Sequence, residues 1–152
     1  MSEFYSHTQK GYVTYAGMAI GVLIVAWAGL KINQPLVLYL GLPLIFLLAV
    51  ISGSLTVKVS TETLLWHFGL GFWKKRIPVT DIEKIEVVRN SWIYGWGIHL
   101  TPHGWLYNVS GLRAVQVTLK SNKSLRIGSD EPEALKDAVL QAKQFAGETG
   151  GL

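Results

Sequence analysis

No cysteine occurs in the 152 residues, which excludes a disulfide framework, a thiolate metal site and a cysteine nucleophile while leaving the compartment open. Charge is scarce as well: Asp, Glu, Lys and Arg make up 16% of the chain, where roughly a quarter is usual in soluble proteins. The deficit is concentrated at the N-terminal end. From Gly53 onward twelve Lys and Arg stand against nine Asp and Glu. That mild excess lacks the strong basic patch of a nucleic-acid binder, but it suits a position beside an anionic leaflet. Catalytic motifs are missing too. Gly69-Leu70-Gly71 and Gly95-Trp96-Gly97 continue neither to a third glycine nor to Gly-Lys-Ser, so they read as hairpin glycines rather than phosphate loops. Asp81, Glu83, His99 and His103 are scattered and form no constellation of acid, base and nucleophile. We expect neither an enzyme nor a cofactor.

What the chain does have is a double apolar run, Tyr12 to Leu30 and Leu36 to Ser52, interrupted once at Lys31-Ile32-Asn33-Gln34-Pro35. The first run is free of charge and close to the length of about 20 residues that crosses a hydrocarbon core; the second is slightly short. Gly17 and Gly21, with Ala16, Ala28 and Gly29, either allow a second helix to approach closely or are simply tolerated in lipid. Pro43 predicts a kink in the second helix rather than a break. Tyr12, Tyr15, Trp27 and Tyr39 lie towards run ends, where aromatic rings favour the headgroup level. Lys10 and Ala26-Trp27-Ala28 mimic a cleavable secretory signal. Cleavage there would leave a second long apolar run that a secreted domain does not need, so two antiparallel spans are the economical reading. Lys10, Lys58 and Lys74 to Arg76 flank the outer ends and only Lys31 lies in the connector, which predicts both termini in the cytoplasm. Residues 1–11 show no hydrophobic period and are expected to be a loose or interfacial tail.

Beyond the runs the period changes to alternation. Leu55, Val57 and Val59 oppose Thr56, Lys58 and Ser60, and Leu64, Trp66 and Phe68 oppose Leu65 and His67. Further strands are expected from Trp73 to Val79, around Ile85 and Val87, at 97–101, at 105–109, at 114–120 and around Leu125 and Ile127. That makes seven or eight short strands. An amphipathic helix follows, entered through Asp130, Pro132 and Glu133, carrying Leu135, Ala138, Val139, Ala142, Phe145 and Ala146 on one stripe, and ended by Gly147. The predicted division is a tail over 1–11, a transmembrane hairpin over 12–52 (spans 12–30 and 36–52), a β-rich domain over 53–147 and a tail over 148–152.

Several segments carry a likeness: Leu-Thr-Val-x-Val at 55–59, the stretch Ile77-Pro78-Val79-Thr80-Asp81-Ile82-Glu83-Lys84-Ile85, Tyr94-Gly95-Trp96-Gly97-Ile98, Ser110-Gly111 before Ala114-Val115, and Ile127 to Glu133 opening the last helix. Together they make the chain resemble the bacterial pleckstrin-homology (PH)-like domains found on small membrane proteins. The resemblance implies an α+β fold: a bent antiparallel barrel of about seven strands capped by a C-terminal helix, joined to transmembrane helices and used for binding or assembly. Phosphoinositide-binding members of the wider superfamily carry a basic cluster between the first two strands. Here that turn is Ser60-Thr61-Glu62, short and acidic, which argues against such a pocket.

Two sets of residues are candidate contacts. Trp92, Tyr94, Trp96, His99, His103 and Trp105 crowd one loop-rich stretch and would meet a protein partner or a second copy; alternatively Trp96, Trp105 and Tyr107 fill the barrel. Phe72, Trp73, Lys74, Lys75 and Arg76 combine rings with the one basic triplet and would touch anionic lipid headgroups; alternatively Lys74 and Arg76 face solvent on an ordinary strand. Pro102 and Gly104 make a turn between His99 and His103, so their spacing of four is no metal site. Asn108-Val109-Ser110 matches a glycosylation sequon that has no meaning on a cytoplasmic face. The overall expectation is a non-catalytic interaction or scaffold module in the inner (cell) membrane, its soluble domain cytoplasmic, its partners the bilayer and a protein or its own copies, with anionic headgroup recognition as the alternative and no nucleic acid.

Overall fold

The computed structural model describes residues 3–71 and 73–149. Two helices dominate the N-terminal part, α1 (Tyr12–Ile32) and α2 (Pro35–Ser52). At 1.5 Å per residue their 21 and 18 residues cover about 32 and about 27 Å, and both are long and apolar enough to cross a membrane. The turn between them is tighter than the five-residue interruption in the sequence. Asn33 takes a left-handed conformation (φ 52°) and Pro35 opens α2, where its missing N–H is not needed. Pro43 lies inside α2 without ending it. Of the small residues expected to let the helices approach, Gly29 does so, since a Cβ there would sit 2.6 Å from the Leu38 side chain, whereas Gly17 faces open space; Gly41 of α2, which the sequence does not single out, is a second close approach, 2.7 Å from Val25.

The segment expected as a loose tail is a strand. β1 (Glu3–Lys10) pairs antiparallel with β2 (Ser54–Ser60), from Lys10 opposite Ser54 outward, and the Gly11 N–H donates to the Gly53 carbonyl at 2.8 Å where both strands pass into the helices. The β-domain therefore includes residues 3–10. The helix pair is the connection of a β-hairpin, and the domain hangs from it by two strands with no linker on either side. The lack of a hydrophobic period in this segment has a physical reason. Tyr5, His7 and Gln9 point inward, and two of them bond distant groups: His7 Nε2 lies 2.8 Å from Asp130 Oδ1, and Gln9 Nε2 donates to the Ser110 carbonyl at 3.0 Å. Burial pushes the Tyr5 phenol up to about 12.

β2 continues into β3 (Thr63–Phe68) and β4 (Trp73–Pro78), giving a sheet in the order β1-β2-β3-β4. The second sheet contains β5 (Ile82–Arg89), β6 (Gly97–Thr101), β7 (Gly104–Asn108), β8 (Arg113–Leu119) and β9 (Ser124–Gly128) in the order β5-β8-β9-β7-β6, antiparallel except between β7 and β9. Among the described residues the nine strands make two sheets with free edges rather than one closed ring. Their inner faces share a core that includes Leu55, Leu64, Trp66, Tyr107, Val117 and Ile127, with the Trp66 and Tyr107 rings edge-on at 5.2 Å. α3 (Pro132–Thr149) closes one side of this core through Leu135, Ala138, Val139 and Ala142. It runs past Gly147, where the sequence predicts an end, and Phe145 packs on Phe4 of β1 with centroids 5.3 Å apart. At its start, the Glu133 backbone N–H and the Arg113 guanidinium hold the Glu133 carboxyl below the usual carboxylate range.

Candidate functional site

Hydrogen bonds at the helix junction define one end of the domain. Thr14, in the first turn of α1, donates through Oγ1 to the Val109 carbonyl at 3.2 Å, which brings the β7–β8 connection (109–112) against the helix. That connection in turn holds the aromatic segment. The Asn90 N–H donates to the Leu112 carbonyl at 2.7 Å and Trp96 Nε1 donates to the Gly111 carbonyl at 3.2 Å, so the short 3₁₀ turn Trp92–Tyr94 is pinned on both sides. A second anchor lies beneath it. Arg126, almost fully buried on β9, donates to Asn90 Oδ1 at 3.2 Å and to Gln116 Oε1 at 3.0 Å; burial lowers its pKa from the usual guanidinium value. Neither Arg126 nor Asn90 stands out in the sequence as a site residue, because nothing local marks an arginine that will be held by neutral amides from two other segments.

The β3–β4 turn reaches the same end beside α2. The Gly69 N–H donates to the Ser54 carbonyl at 2.9 Å, and a Cβ on Gly69 would meet the Val50 carbonyl at 2.1 Å and the Ile51 carbonyl at 2.6 Å. Only glycine fits this approach, and with φ +49° it also supplies the backbone conformation of the turn. Leu70, at the tip, is exposed. Trp73 and Lys74 follow directly, so the basic strand begins at the helix end and runs away from it.

The six aromatic and histidine candidates do not form one surface. Trp92, Tyr94 and Trp96 sit at the helix junction, with Trp92 75% exposed. His99 turns back on this group, its Nε2 2.7 Å from the Trp96 carbonyl. His103 lies in the β6–β7 turn, at the other end of that hairpin from the 109–112 connection, and Trp105 follows it. Among the described residues no three His, Asp or Glu side chains gather where they could hold a metal.

Trp105 is informative because of its register. It pairs with Leu100, as Tyr107 pairs with Ile98, and residues two apart on a strand share a face, so Leu100 and Trp105 lie on the core side of the hairpin. Tyr107 is buried in the core and Ile98 packs against it, yet Leu100 is 72% and Trp105 49% exposed. The free edge of β6 explains this: the core ends before the hairpin does. Of the three rings that might have filled the interior, only Tyr107 does so. β4 repeats the pattern. Trp73 pairs with Phe68 and Lys75 with Trp66, both core residues, while Trp73 and Lys75 themselves are exposed; Lys74 and Arg76 are on the outer face. Phe72, the remaining lipid-contact candidate, lies outside the described residues.

A cavity of about 700 Å³ opens at the end of the domain away from the helix junction, between Thr61, Glu62, Thr63, Pro78, Thr80, Phe145 and Ala146. Among the described residues Glu62 is the one titratable group in its wall. Two paired tethers, a pinned aromatic turn and two uncovered inner faces are what the domain presents. No protein-family model matches the chain, and no curated protein or solved structure is detectably similar to it.

Proposed function

We propose that the chain is a non-catalytic, PH-like interaction module held in the inner (cell) membrane by α1 and α2, with its β-domain on the cytoplasmic side, and that the β6–β7 hairpin receives a protein partner or a second copy. The observation that carries this reading is the exposure of Leu100 and Trp105 on the core-facing side of a hairpin whose outer edge is free. A free strand edge offers unpaired N–H and C=O groups, and the adjacent indole and leucine supply the apolar anchor that a strand-adding partner buries. Crosslinking of the full-length protein in native membranes tests it. A Leu100→Ala, Trp105→Ala double variant is expected to lose its principal crosslinked neighbour while keeping its level in the membrane; retention of every wild-type neighbour sinks the proposal.

A second reading, recognition of anionic headgroups by Trp73, Lys74, Lys75 and Arg76, is favoured by the packing of the β3–β4 turn on the last turn of α2, which brings the start of the basic strand to headgroup level. Each well-placed charge would contribute about 1 kcal/mol. Replacing all three bases by Gln is then expected to strip co-purifying anionic lipid from the intact protein. An unchanged lipid complement in mass spectra of the detergent-released protein rules it out.

A further inference from the structure

We infer that the turn Trp92–Tyr94 is a third point of membrane attachment, which seats Trp92 and Ile93 in the headgroup–acyl boundary of the leaflet that α1 enters. The inference rests on the reading of α1 and α2 as membrane spans. Three observations carry it. The first is position: Thr14 is within the first turn of α1 and bonds the Val109 carbonyl, so the 109–112 connection lies where the span meets water, and the turn hangs from that connection at Asn90 and at Trp96. The second is chemistry. Trp92 is 75% and Ile93 72% exposed, an unusual cost for a surface turn in water, whereas an indole and a branched aliphatic side chain side by side suit the boundary region of a bilayer. The third is rigidity. Arg126 clamps Asn90 from the buried side, Trp96 is tied through its indole N–H, and the Gly95 N–H closes on the Trp92 carbonyl at 3.1 Å, so the apolar pair is presented by a fixed turn.

The occupant is a lipid surface rather than a protein because this patch is continuous with the span itself. Tyr12 at the start of α1 lines one small cavity together with Ser110, Gly111 and Leu112, so the start of the helix and the connection that holds the turn are neighbours, and Thr14 joins them directly at Val109. Lys10, two residues before α1, and Arg89, next to Asn90, are both exposed and supply the charge that an anionic leaflet attracts. Leu70, also exposed, projects beside the last turn of α2. The footprint is then broader than two helices, with an apolar tip beside α2 in addition to the turn held beside α1.

The absence of native cysteine makes the test direct. Single-cysteine variants Ile93→Cys, Leu23→Cys in the middle of α1 and Ser121→Cys in the β8–β9 turn at the far end of the domain are spin-labelled in the full-length protein and reconstituted in vesicles of phosphatidylethanolamine and phosphatidylglycerol. All three side chains are exposed, so the label displaces no packing. Collision with dissolved oxygen is expected to exceed collision with a water-soluble nickel chelate several-fold at 23 and at 93, and to fall below it at 121. A label at 93 that matches 121 while 23 remains oxygen-favoured overturns the third attachment alone. If 23 is also nickel-favoured, the spanning reading falls and the attachment falls with it.

Discussion

Deleting residues 1–10 while keeping both helices is expected to abolish cooperative folding of the β-domain, not merely to shorten the chain. The deletion removes one of the two strand partners of β2, leaving only β3, and makes a strand that carries Leu55, Val57 and Val59 in the core into an unprotected edge. It also removes Phe4 and Tyr5, which pack against the core, and with Phe4 the ring on which Phe145 of α3 rests. Burial of one such side chain is worth about 1.5–3 kcal/mol, and a domain of this size has only about 5–15 kcal/mol in hand. Losing two of them together with a ladder of main-chain bonds consumes most of that. The measurement is a thermal melt in detergent followed by tryptophan fluorescence, with gel filtration to detect aggregation. A truncated protein that stays monodisperse and melts as sharply as the intact one would return residues 3–10 to the status of a tail.

The second large effect is expected at Trp66. It is the largest of the fully buried side chains and holds Tyr107 edge-on across the two sheets, so Trp66→Ala should cost about 3–5 kcal/mol. Its indole N–H has no acceptor among the described residues, and Trp66→Phe, which deletes that unpaired donor along with part of the ring, is expected to recover much of the loss. Trp105→Ala is the matched control. A half-exposed ring beyond the end of the core should change stability by no more than about 0.5 kcal/mol. Urea unfolding midpoints of the three variants in one detergent separate these outcomes, and equal losses at 66 and 105 would contradict the account of where the core stops.

The two helices, the alternating strands of the first sheet and the apolar stripe of α3 are legible in the sequence because each rests on a local period: continuous apolar residues, alternation by two, and recurrence at three and four. What escapes is what only the third dimension supplies. β1 looks like a tail because its inward residues Tyr5, His7 and Gln9 have polar ends whose partners, Asp130 and Ser110, lie more than a hundred residues away. The aromatic cluster reads as one patch because Trp92 and Trp105 are neighbours in sequence, although β6 and the β6–β7 turn carry them to opposite ends of a hairpin. The exposure of Trp105 is invisible for a related reason: its place in the alternation is that of a core residue, and only the register with Leu100 at a free edge shows that no core reaches it. Gly29 is legible as one of several small residues but cannot be ranked above Gly17, and Gly41 is not marked at all, since the angle at which two apolar helices meet is not written in their composition.

The placement of the helix pair inside a β-hairpin sets an order of assembly. β1 leaves the ribosome before the helices, but β2, its strand partner among the described residues, is made after both, so its backbone must wait for that pairing while they are synthesised. A flexible connection of that length would cost about 3 kcal/mol more in closure entropy than a two-residue turn. Docking α1 against α2 removes that cost in advance by bringing Gly11 and Gly53 together, and the 2.8 Å bond between them becomes the first rung of the sheet. Whatever pairs the helices therefore also nucleates the domain, and a lesion at Gly29 or Gly41 that holds the helices apart would surface as a folding defect in strands that neither residue touches.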